Sequence, residues 1–149
     1  MKRDSALLII RMLFILLFIY ASFSKIFDPE GFKDSMEKQP FPQWIRYALM
    51  FLVPASEIAI SVLLFKEKFW RLGIYLSTAL MTAFTLYIGI VLLHFFRYVP
   101  CSCGGVIKQL SWQQHLIFNL FFVLLGIVGI ILPSSTDNKR GYNPTQLSV

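Results

Sequence analysis

The sequence is short of charge, cysteine and histidine: 15% of its 149 residues are charged, and it has two cysteines and two histidines. No stretch has the make-up of a soluble domain, no segment is of low complexity, and no clear internal repeat stands out. The net charge of +6 is not gathered into a basic stripe. The cations are scattered between apolar blocks, which argues against a nucleic-acid surface and for charges that flank membrane helices. No convincing A-x-A cleavage site follows the first apolar block. That block is also longer than the ~7–15 residues of a signal-peptide core, which points to an uncleaved first helix.

Apolar residue is abundant. Hydrophobic residues make up 56% of the chain and the mean hydropathy is +0.65, against roughly 45–50% apolar residues in soluble domains. They arrive in four blocks, about Ala6–Phe27, Arg46–Phe65, Trp70–Phe96 and Trp112–Leu132. Each is near or above the roughly 20 residues that cross a hydrocarbon core. The expectation is an all-α integral membrane protein, a four-helix transmembrane bundle over residues 1–132. The third span is long enough to tilt or project. Residues 133–149, rich in Ser, Asn and Pro, read as a disordered cytoplasmic tail. Trp44, Trp70 and Trp112 fall at span ends, as an aromatic belt requires.

Basic residues suggest the orientation. With both termini inside, the inner segments hold Lys2, Arg3, Lys66, Lys68, Arg71, Lys139 and Arg140. The outer loops hold Lys33, Lys38, Arg97 and Lys108, with Arg46 at a span edge. The bias favours N-in/C-in. Loop three would then face an oxidising compartment, and with it both cysteines.

Those cysteines lie in Pro100-Cys101-Ser102-Cys103-Gly104-Gly105. Two thiols one residue apart can form a small-ring disulfide, and such strained rings tend to be labile and suited to redox exchange. The competing readings are an incidental pair and a metal site. His94, Cys101, Cys103 and His115 offer a Cys2His2 donor set, but their order and spacing match no zinc pattern, so no metal is assigned. His115 and Asn119, one turn apart, share a face of span four. An imidazole there can take a thiol proton or, when charged, favour the thiolate. Cys101, Cys103 and His115 are therefore the candidate catalytic residues, with His94, Arg97, Lys25 and Asn119 in support. The bland alternative for His115 and Asn119 is a hydrogen bond between helices.

Glu57, in the middle of span two and just after Pro54, is costly in lipid unless paired. Arg11 in span one is its expected partner, with Ser61 on the same face as Glu57. The pair is either a structural tie between spans one and two or a polar site for a small transporter, which a homo-oligomer would help complete.

Ser24-Lys25-Ile26-Phe27-Asp28-Pro29-Glu30-Gly31-Phe32, with Arg11 before it and Pro54-Ala55-Ser56-Glu57 after it, resembles the DoxX family of small four-helix membrane proteins. Cys101-Ser102-Cys103-Gly104-Gly105 followed by Leu110-Ser111-Trp112-Gln113-Gln114-His115-Leu116-Ile117-Phe118-Asn119 resembles its MauE (methylamine utilisation) branch, in the form common among Bacteroidota. The resemblance covers about residues 5–132. It implies a multi-pass protein of the bacterial inner membrane, with its cysteines on the periplasmic side and a role in thiol–disulfide chemistry. The expected function is electron exchange between the C-x-C pair and a periplasmic thioredoxin-like partner, with a quinone as candidate cofactor, in support of exported-protein maturation. The competing function is a non-enzymatic scaffold or maturation factor in which the cysteines form a static clip.

Overall fold

The computed structural model describes residues 2–93 and 112–132. They form five helices, α1 (Lys2–Phe27), α2 (Pro29–Glu37), α3 (Gln43–Phe65), α4 (Trp70–Leu92) and α5 (Trp112–Ile131), and no strand occurs among them. Four of the five, all but α2, are long and apolar enough to cross a membrane. Helix is what such sequences must form in lipid, because it satisfies every backbone polar group within the segment.

The four long helices close into a ring. α1 packs on α3, α3 on α4, α4 on α5, and α5 returns to α1. Each turns one stripe inward. On α1 the stripe is Leu7, Ile10, Phe14 and Phe18, continued by Ser22 and Lys25. On α3 it is Glu57, Ile60, Ser61 and Leu64, and on α5 His115, Asn119 and Phe122. These follow the three-and-four spacing of a packed helix face. The opposite faces carry exposed Leu, Ile and Phe, such as Leu16, Phe51, Leu86 and Ile117, which suits a lipid surround.

The core of the ring is aromatic. Phe14 stacks on Phe18 at 5.9 Å and meets Phe122 edge-on at 5.6 Å. α4 and α5 approach closely at Gly126, where a β-carbon would overlap the Thr78 hydroxyl.

The short helix α2 was not expected in the segment between spans one and two. Asp28 caps it by accepting from the Gly31 N–H at 3.0 Å, and Pro29 starts it, both standard helix-opening devices. Its Phe32 and Met36 are buried, while Lys33–Glu37 and Lys38–Asp34 pair along its outer side. Arg46 reaches back from α3 to the Glu37 carbonyl and ties the two helices.

α3 starts at Gln43, a turn before the expected Arg46. α4 runs to Leu92, where the Leu93 N–H bonds the Gly89 carbonyl at 3.1 Å, and the expected limit at Phe96 lies outside the described residues. The expected disordered tail, residues 133–149, lies outside the described residues.

Candidate functional site

The polar residues of the inward stripes gather around one cavity of about 240 Å³. All five helices or their flanks contribute to it. α1 supplies Phe18, Ala21 and Lys25, α2 and the turn after it Met36, Gln39 and Phe41, and α3 Val53 and Glu57. α4 brings Met81, Phe84, Tyr87 and Ile88, and α5 His115, Phe118 and Asn119. The last turns of α1 and α4 and the first turns of α5 meet here. Residues 94–111 therefore join two helices at this end of the bundle.

Lys25 and Glu57 form a buried ion pair, with Nζ 2.8 Å from Oε1 and 3.2 Å from Oε2. Nζ also donates to the Ala21 carbonyl at 3.2 Å. Ser22 Oγ lies 3.1 Å from both Glu57 Oε2 and the Pro54 carbonyl. Lys25 sits 5.9 Å from the Phe32 ring centre, which brings α2 over the pair. Taking both charges out of water costs several kcal/mol per ion, roughly, before mutual attraction offsets it. Here every polar atom of the pair has a partner, so the wall they form is neutral and internally satisfied.

The α5 wall differs. His115 and Asn119 are buried, at 1% and 3% exposure. His115 Nδ1 and Asn119 Nδ2 have no hydrogen-bond partner among the described residues. A buried donor left so costs about 1–3 kcal/mol, and the stronger reason to keep one is a ligand or water that completes it. At the α2 side Tyr87 donates to Gln39 Oε1.

The expected Arg11–Glu57 pair does not form. Arg11 instead donates to the Leu64 carbonyl from Nε (3.1 Å) and Nη2 (2.8 Å), and reaches Glu67 Oε1 at 2.9 Å. Its guanidinium also lies 5.5 Å from the Trp70 ring centre. The reason is register. α1 and α3 run antiparallel, so a residue early in α1 meets the end of α3. Glu57 lies about 10 Å deeper than Leu64 at roughly 1.5 Å per residue. Arg11 thus serves the open carbonyl at the C-terminus of α3, where a cation is favoured. Trp70, expected in an aromatic belt, is instead 9% exposed beneath Arg11 and Arg71. Trp44 is exposed at the start of α3.

Of the site residues expected from sequence, Lys25, Glu57, His115 and Asn119 meet at this cavity and Arg11 lies at the other end of the bundle. Cys101, Cys103, His94 and Arg97 lie outside the described residues. Sequence reasoning missed Ser22, Gln39 and Tyr87. Ser22 was detectable, one turn before Lys25 on the same stripe, while Gln39 and Tyr87 come together only through the seating of α2.

A family model described as methylamine utilisation protein MauE matches residues 3–132. No curated protein and no solved structure matches the chain.

Proposed function

The chain belongs to the MauE family, and from that premise we propose that it is a membrane-embedded accessory protein of the methylamine-utilisation type that exchanges disulfides through Cys101 and Cys103. The observation that carries the reading is the position of these cysteines. They are the only two in the chain, one residue apart, in the segment between two membrane-spanning helices. The proposed orientation is N-in/C-in in a bacterial inner membrane, which puts that segment on the periplasmic side, where disulfides persist. The proposed partner is a periplasmic thioredoxin-like protein, whose dithiol is the chemical counterpart such a cysteine pair exchanges with.

In the exchange, a thiolate on one protein attacks the disulfide of the other and a mixed disulfide forms. The second thiolate of the attacking pair then displaces it. One disulfide is lost and one gained, two electrons pass between the proteins, and no other reagent is consumed. Arg97 and His94, which precede the pair in the sequence, are proposed to favour the thiolate. His115, in the first turn of the helix that follows, is the proposed proton acceptor.

Single Cys101→Ser and Cys103→Ser variants test the reading, because each strands the mixed disulfide. We expect one of them, Cys103 being the proposed partner-facing thiol, to retain a periplasmic protein on a non-reducing gel. If neither captures a partner and both restore function to a deletion strain, the exchange does not occur and the cysteines are a static clip.

A further inference from the structure

The ion pair in the cavity is complete in itself. Lys25 Nζ is directed at Glu57 and the Ala21 carbonyl, and Glu57 also accepts from Ser22. This wall offers a ligand no free charge. On α5, the buried His115 Nδ1 and Asn119 Nδ2 have no hydrogen-bond partner among the described residues, and both residues line the cavity. An amide nitrogen only donates, so whatever completes it must carry an acceptor such as a carbonyl oxygen. The rest of the lining is largely apolar and aromatic, with Phe18, Phe84 and Phe118 among it. An apolar cavity of roughly 150 Å³ holds a benzene ring. At about 240 Å³ this one takes a substituted or fused ring. The ligand is therefore an uncharged, flat, carbonyl-bearing ring, and helices with apolar outer faces select one that dissolves in the bilayer.

We propose that the cavity binds the head ring of a membrane quinone, with a carbonyl accepting from the Asn119 amide beside His115. Binding stands on the cavity alone. The use of the quinone as electron acceptor rests on the disulfide-exchange reading above. In that use the Cys101–Cys103 dithiol gives two electrons and two protons to the quinone, leaving a disulfide and a quinol.

The test is calorimetric titration of the purified full-length protein in detergent with a short-chain ubiquinone and a short-chain menaquinone. The same titration is run on Asn119→Leu, on Ala21→Phe, which fills the cavity with a ring of its own, and on the Cys101→Ser/Cys103→Ser double variant. The expected result is saturable binding of at least one quinone by the unaltered protein and by the cysteine-free variant. Asn119→Leu should weaken it about tenfold or more, and Ala21→Phe should abolish it. Thermal melts identify any variant that fails to fold, and the other then decides. No saturable binding, or binding that the folded cavity variants leave unchanged, overturns the site. A cysteine-free protein that binds quinone, alongside single variants that trap no partner, would remove the exchange reading and leave the site standing.

Discussion

Lys25 and Glu57 form an ion pair inside the bundle, at 6% and 2% side-chain exposure. Either one alone would be stranded there. Lys25→Met should therefore destabilise the protein by about 3–5 kcal/mol, while Lys25→Met/Glu57→Leu, which removes both charges, should recover most of that loss. Unfolding in mixed detergent micelles measures both, and a double variant as unstable as the single would show that the stranded carboxylate is not the cause. That Glu57 needed a partner was legible in the sequence, because its cost in lipid does not depend on the fold. Which partner was not legible. Lys25 and Arg11 both lie on the inward stripe of α1, about 20 Å apart at roughly 1.5 Å per residue, and only the antiparallel register with α3 decides between them. His115 and Asn119 were legible as a pair, since helical spacing alone puts them on one face. That they face a cavity was not, because the gap is defined by side chains from all five helices.

At the level of the helix, small residues control approach. Gly126 lets α5 lie against Thr78 of α4, whereas a β-carbon at Gly89 would meet nothing within 4 Å. Gly126→Ala should accordingly lower stability by about 1–3 kcal/mol through forced separation of the helices. Thr78→Ala in the same chain should relieve it. Gly89→Ala should be neutral or stabilising by up to about 1 kcal/mol, since glycine costs that much in a helix interior. Melting temperatures of the three variants check the contrast, and equal losses at both glycines would refute it. The long helices were readable because lipid demands uninterrupted apolar runs. α2 has only nine residues, too few for that signal. Its opening Asp28-Pro29-Glu30-Gly31 is nonetheless a helix-start pattern, and Phe32 and Met36 one turn apart mark its buried side.

The molecule as a whole is apolar outside, with Arg11 and the Lys25–Glu57 cavity set apart along the inside of a ring of four helices. Arg11 marks the end where α3 turns into α4, and the Lys25–Glu57 cavity marks the end that residues 94–111 bridge. The proposed orientation makes the cavity end the outer one. A membrane-impermeant maleimide, applied to intact spheroplasts after reduction with an impermeant phosphine, should therefore modify Cys101 and Cys103. Labelling that appears only once the membrane is permeabilised would invert the topology and remove the oxidising environment from the argument.

The placement of charge along the chain also bears on how the protein is made. α1 leaves the ribosome before α3, carrying Arg11 and Lys25, and the acids that will hold them, Glu67 and Glu57, are synthesised later. On its own, α1 must keep both cations by reaching its long side chains toward the two membrane surfaces. Only the arrival of α3 and its turn into α4 brings the Leu64 carbonyl, Glu67 and Glu57 against it. The first span thus enters the bilayer as a provisional guest, and insertion of the α3–α4 hairpin is the event that makes its residence permanent.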